Sequence, residues 1–388
     1  MVVDAVRRNR LVEGLRTSDL DACVCSAASD VLLLSGYWPV MAMSISLLTT
    51  DGSCHVLLPE DEEELATKTC SAEITTYKPA SLHKLTDLMT SLHGPLKQLI
   101  RKIGLEHARI GIRQELTEQP SSYVVSANFH SSLGILLTQI CPNATMSSCD
   151  HLLETQKASK TPTELERLDR AASIVAVGFA AAEAAIEPGL RETEVAARIQ
   201  AAFDTSPEAE SVQRSYGSFY CMSGPNSAKA AAAYARTRQR RLEDGDLVMI
   251  HANTCADGFW TDVTRTYTAG IPSDRHQSMR SAIMDARKSG MLAIRPGVAG
   301  SAIDRATRSV LETHGLGSAF KHGAGHGVGF AAANAAGRPR IHPLSPDVLE
   351  SGMTFNLEPA VYFEGYGGMR HCDLVAVTSD GVRVLTNF

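Results

Sequence analysis

The chain has 388 residues, 44% of them hydrophobic and 21% charged, the balance of a soluble globular protein long enough for two domains rather than one core. Its formal charge of -6 gives no electrostatic footprint for a polyanion, so a nucleic-acid partner is not expected. No uninterrupted apolar stretch is long enough to cross a bilayer, and MVVDAVRRNRLVEGL lacks the apolar core of a secretion signal. The expected setting is therefore cytoplasmic and membrane-free.

Residues 4 to 17 carry a helical pattern, and DLDACVCSAA followed by DVLLLSGY reads as strand, turn, and a second strand or short helix. Two apolar runs flank Asp51-Gly52 as a hairpin, and the acidic stretch Glu60 to Glu64 opens a helix. Alternating strands and helices continue to about residue 150, with Ser35-Gly36-Tyr37 as a tight turn. The nine cysteines contain no CxxC pair and are odd in number, as expected of a reduced protein rather than a disulfide scaffold.

Thr161-Pro162-Thr163-Glu164 is a helix-start signal before an alanine-rich helix from Leu165 to Ile186. The expected domains are residues 1–155 and 156–388. Glu187-Pro188-Gly189 is echoed by Arg295-Pro296-Gly297; each follows a helix and precedes another, the pattern of a duplicated half-domain. Each helical pair is followed by strand-like runs, LVMIHANT and TDVTRTYTAG, then MTFNLEPAVYF and HCDLVAVTS. A mostly antiparallel curved sheet with helices on one face is expected, its other face turned to a cleft. The basic run Tyr234 to Arg241 reads as a solvated surface.

Strand parity sorts the polar residues of these runs. His251 and Asn253 share one face, as do Asp262, Thr264 and Thr266, and an Asp257-Gly258 turn makes the two strands neighbours. His326 sits among glycines that permit close backbone approach. Glu358 shares parity with Thr354 and Asn356, while Phe355 and Leu357 face a core; Arg370 and Cys372 share one face of the last strand, His371 and Asp373 the other.

The segments Gly258 to Thr266, His322 to Gly329 and Gly352 to Pro359 together resemble the pita-bread family of metallopeptidases, in its creatinase, prolidase and Xaa-Pro aminopeptidase branch. The resemblance covers residues from about 160 to 388. It implies an α+β pita-bread fold behind a smaller N-terminal α/β domain, in a homodimer. It also implies a dinuclear metal site, with carboxylates at the positions of His251 and Cys372 and with Asp262, His326 and Glu358 as further ligands. Two divalent ions need bridging carboxylates that imidazole and thiol do not replace, so standard dinuclear aminopeptidase activity is not expected.

Two readings of the site stand. In one, His251, Asp262, His326, Glu358 and Cys372 hold a single divalent metal such as zinc or iron. In the other the site is metal-free: His251 and His326 transfer protons, Asp262 and Glu358 orient them, and His322 or Arg370 polarises a carbonyl. Alanines at 231 and 333 replace two histidines that the resemblance implies. The expected substrate is a small amino-acid-derived or cyclic amide molecule, with Tyr220, Trp260, Phe330, Arg338, Arg340 and Arg370 as binding residues. Hydrolysis of a C–N bond leads; a lyase or rearrangement, and a non-catalytic ligand- or partner-binding pseudopeptidase, are the alternatives.

Overall fold

The computed structural model describes residues 4–41, 44–79, 81–83, 85–114, 131–232, 236–332 and 337–388. The described chain falls into two compact units that part between Lys157 and Ala158. Ala333, Tyr234 and Ala235 lie outside the described residues.

In the first unit, α1 (Ala5–Thr17) starts where the Asp4 carboxylate accepts the Arg7 backbone N–H at 2.7 Å. Strands β1 (Ala22–Cys25), β2 (Ile45–Thr49), β3 (Cys54–Pro59), β4 (Glu73–Tyr77), β5 (Arg109–Ile112) and β6 (Thr145–Ser148) form one sheet in the order β4-β3-β2-β1-β5-β6. The β2–β3 hairpin turns at Asp51-Gly52 as expected. DVLLLSGY is a helix rather than a second strand: α2 (Ala28–Ser35) ends at Gly36 in the left-handed conformation. Helices α3 (Glu63–Thr69), α4 (Leu88–Lys102), α5 (Ser131–Ile140) and α6 (Asp150–Ala158) complete this unit. Its main core packs β1, β2, β3 and β5 side chains such as Val24, Leu47, Leu57 and Ile110 against Leu96, Ile100 and Leu137 of the helices.

The second unit opens with α7 (Pro162–Ala185), whose N-terminus is a full capping box between Thr161 and Glu164 with Pro162 in the first turn. Its buried stripe, Leu168, Ala171, Ala172, Val175, Phe179 and Ala182, recurs at helical spacing. With α8 (Glu192–Asp204) it covers the sheet β7 (Ser215–Ser223), β8 (Leu247–Ala256) and β9 (Phe259–Thr268), against Phe219, Ile250, Ala252 and Val263. The second helical pair, α9 (Asp274–Ala293) and α10 (Gly300–Thr313), packs on β10 (Thr354–Leu357), β11 (Ala360–Phe363), β12 (Gly367–Arg370) and β13 (Asp373–Val377), which β14 (Val382–Val384) extends. The helix, Pro-Gly, helix echo thus covers two strand sets.

The expected single sheet is instead three antiparallel ones, β7-β8-β9, β10-β13-β14 and β11-β12; a single bridge pairs Thr264 of β9 with Cys372 just before β13, and another pairs Gly327 of the glycine-rich segment with Phe355 of β10. Backbone chemistry explains the breaks. Pro359 between β10 and β11 has no N–H to give a ladder. Opposite it, His371 leaves the strand to donate its own N–H to the Pro359 carbonyl at 3.2 Å.

Candidate active site

Hairpin β8–β9 turns through Asp257 and Gly258, both at positive φ (48° and 88°), as the tight two-residue turn requires. That turn fixes a register in which Tyr220, His251 and Thr264 form one cross-strand row and Ser218, Asn253 and Asp262 the next. Alternation sends Ile250, Ala252 and Val263 to the helices and leaves His251, Asn253, Asp262 and Thr264 on the opposite face. All four are at most 4% exposed. Buried polar groups at this density need partners.

His326 reaches them from the glycine-rich segment because β10 lies directly against it. A Cβ at Gly325 would stand 1.8 Å from the Asn356 carbonyl oxygen, so only glycine fits there. The His326 backbone N–H donates to Asn356 Oδ1 at 2.7 Å, which points the Asn356 amide nitrogen at His326 Nε2 (3.2 Å) and Asp262 Oδ2 (3.3 Å). His326 Nδ1 faces the Gly327 carbonyl at 3.2 Å, and a carbonyl only accepts. The proton therefore sits on Nδ1, and Nε2, 3.5 Å from Asp262 Oδ2, is the basic nitrogen.

Arg370 sets the other tautomer. Its guanidinium donates to Thr264 Oγ1 at 3.0 Å and to His251 Nδ1 at 2.9 Å, so Nδ1 accepts and the His251 proton lies on Nε2, donating to Asn253 Oδ1 at 3.2 Å. Burial first, and then the Arg370 charge, push His251 well below the usual histidine value; it is neutral at physiological pH. Tyr220 stacks on its ring at 6.1 Å and 19°. The amide nitrogen of Asn253 is buried and has no partner among the described residues.

Asp262 is the point on which these residues converge. His251 Nδ1 is 3.7 Å from Oδ1, and the Cys372 thiol lies 3.4 Å from the Asp262 backbone carbonyl and 3.9 Å from Oδ1. Burial raises the Asp262 carboxyl to about 6 and the Glu358 charge adds to that, while His326 and Arg370 oppose it. Glu358 is held 3.6 Å from Arg370. His322 is committed on both nitrogens, to the Gly323 carbonyl at 2.8 Å and the Tyr362 hydroxyl at 3.0 Å, and burial lowers its pKa.

This donor set does not fit the metal pair that the family resemblance implies. The His251 lone pair that faces Asp262 is taken by a guanidinium. Burial, with the Asp262 and Glu358 charges, raises the Cys372 thiol well above its usual value, and the thiol donates to the Asp262 backbone carbonyl at 3.4 Å, where the family resemblance implies a carboxylate. Among the described residues, the group whose donor atoms converge tightly enough for an ion is Cys23, Cys25 and Cys149, in the first unit. Sequence reasoning missed it, although Cys-x-Cys on a strand puts two thiols on one face. It placed Thr264 and Asn356 on the site's faces without giving them a role and did not single out Tyr362; these three orient Arg370, His326 and His322.

The remaining binding candidates are engaged elsewhere. Arg338 (3.1 Å) and Arg340 (2.9 and 3.1 Å) both close on Asp347, bracing GRPRIHP against the residues that follow it. Phe330 is buried against Phe259 at 5.2 Å, and Trp260 meets Tyr216 edge-on at 6.1 Å. A cavity of about 540 Å³ is lined by Phe179, Arg265, Tyr267, His276, Arg370 and Phe388 among others, and by none of His251, Asp262, His326 or Glu358. It belongs to the other side of Arg370.

The family model described as metallopeptidase family M24 matches residues 166–379. A Xaa-Pro dipeptidase of Pyrococcus horikoshii is 24% identical over 97% of this chain and 95% of its own length. A probable dipeptidase PepE of Mycobacterium bovis is 34% identical over 59% of this chain and 58% of its own length. Two solved structures share the fold across both units: the Pyrococcus horikoshii prolidase (TM-score 0.78, 23% identity, 98% of each chain) and a Xaa-Pro dipeptidase from Bacillus anthracis (TM-score 0.80, 22% identity, 99% of this chain and 97% of that one).

Proposed function

Because this chain belongs to metallopeptidase family M24, in its Xaa-Pro dipeptidase branch, we propose that it is an enzyme that hydrolyses a C–N bond of a small amino-acid-derived or cyclic amide substrate without the family's metal pair. The observation that carries this reading is Asp262, a buried carboxyl raised to about 6 with the basic nitrogen of His326 3.5 Å away. Such a pair takes a proton from water and returns it to a leaving nitrogen near neutral pH. Arg370 supplies fixed positive charge for a carbonyl oxygen that becomes negative, and Asn253 supplies an amide donor that no described residue engages. Neutral His251 holds Arg370 in place. The same reading carries a cytosolic protein and a homodimer; sedimentation of the purified protein checks the dimer, and cell fractionation checks the compartment.

The test is turnover of a panel of Xaa-Pro dipeptides, amidines and cyclic amides, comparing the full chain with His326→Ala and with His251→Gln. Saturable C–N cleavage that His326→Ala abolishes supports the reading. Ligand-dependent thermal stabilisation with no product across the panel would instead identify a binding protein on this fold.

A further inference from the structure

The buried thiols of the first unit have no part in the chemistry above. Cys23 and Cys25 alternate on β1 and so point to one face, their sulfurs 3.3 Å apart; Cys149, just beyond β6, brings its sulfur to 3.4 Å from Cys23. Each of the three is at most 2% exposed. In the sheet β5 lies between β1 and β6, so a thiol after β6 reaches β1 only by passing over β5. The residue paired with Cys23 on β5 is Gly111, where a Cβ would stand 2.9 Å from the Cys149 Cβ and 2.8 Å from Leu20. Glycine at that one position opens the path that brings the third sulfur in.

We propose that Cys23, Cys25 and Cys149 form a binding site for one soft, thiophilic metal ion, monovalent copper. All three donors lie within 4.8 Å of one another, and no carboxylate or imidazole among the described residues joins the group. The two buried acids of this region are engaged: Asp30 by Arg113 at 2.7 and 2.8 Å and Lys157 at 2.7 Å, and Asp150, next to Cys149, by the Gln114 backbone N–H at 3.1 and 3.3 Å. A set of three sulfurs without a fourth donor matches an ion content with trigonal thiolate coordination; zinc asks for a fourth ligand. Metal–sulfur bonds of about 2.3 Å place three trigonal sulfurs about 4 Å apart, a small outward step from the observed spacing. Loading releases the thiol protons, one for each thiolate formed, and needs no oxidant.

The test is the full-length chain purified without oxygen from copper-supplemented cells and challenged with a monovalent-copper chelator. The expected result is copper retained at equal stoichiometry to the chain, with X-ray absorption showing sulfur ligands alone. Cys25→Ala and Cys149→Ala lose the copper, whereas Cys221→Ala, an equally buried thiol of the second unit, keeps it. Thermal unfolding of the wild-type protein gives a readout that depends on no variant: the loaded form melts at a higher temperature than the copper-free form. Wild-type protein that yields its copper to the chelator, copper kept equally by Cys25→Ala and Cys149→Ala, or preferential retention of zinc each overturns the proposal.

Discussion

The two faces of the segment Arg370 to Asp373 place buried carboxylates in opposite conditions. On one face Asp262 meets two histidines, a thiol and the repelling Glu358, and its carboxyl rises to about 6. On the other, Asp373 accepts from Arg265 at 2.7 Å, Arg287 at 2.5 Å and Thr386 at 3.2 Å, with His371 3.3 Å away; burial pulls its carboxyl up, but His371, Arg265 and Arg287 together hold it far below the usual range. Burial is common to both; what differs is whether full charges answer the carboxylate. The answered one holds the C-terminal strands to β9 and α9. The half-answered one has a proton affinity suited to catalysis, at a cost in stability that the rest of the fold offsets.

This contrast is broken most directly at Asp262. Asp262→Asn should lower turnover by about 10²–10⁴-fold, the usual contribution of a positioned acid or base, while its urea midpoint at pH 8 equals or exceeds that of the wild type. Asp373→Ala should do the reverse: unfolding free energy falls by about 3–5 kcal/mol as the buried Arg265 guanidinium and the partly buried one of Arg287 lose their partner, and the fraction that remains folded turns over normally. If Asp262→Asn unfolds the protein and Asp373→Ala removes only activity, the assignment of the faces is wrong.

A smaller effect comes from pH. The folded value of Asp262 lies above its unfolded one, so its stabilising contribution is complete below about pH 4 and is lost as pH rises through about 6, of order 2–3 kcal/mol in all. Asp373 has the opposite sign: its contribution is present at neutral pH and is lost as pH falls through the acid range. Subtracting the Asp262→Asn stability profile from that of the wild type isolates the first slope, and its absence would remove the basis for a raised carboxyl. The smallest change is Arg340→Ala, expected to cost below about 1 kcal/mol, with no change in KM, since Arg338 still pairs with Asp347.

Where local chemistry decides, the sequence is legible. The Thr161-Pro162-Thr163-Glu164 start of α7 and the Asp257-Gly258 turn depend on residues within a few positions of each other. Parity was enough to sort Arg370 and Cys372 from His371 and Asp373, even though the strand breaks between them. Partners distant in sequence were not legible. The Asn356 amide locks His326, and Arg370 takes the lone pair of His251 across 119 positions; neither follows from residue type. Arg338 and Arg340 read as substrate anchors because a guanidinium does not announce its carboxylate, and theirs is Asp347 in the same loop. The DVLLLSGY segment was ambiguous between strand and helix because its apolar run is buried on all sides.

The central claim is that the altered site works through the Asp262 and His326 pair without divalent ions. The measurement that meets it most directly is the pH dependence of kcat/KM for the best panel substrate, on protein dialysed against chelator and checked by elemental analysis. The account predicts turnover that survives chelation, with an acidic limb near pH 6 that Asp262→Asn abolishes together with the activity. Turnover that disappears on chelation and returns with zinc, manganese or iron would contradict it.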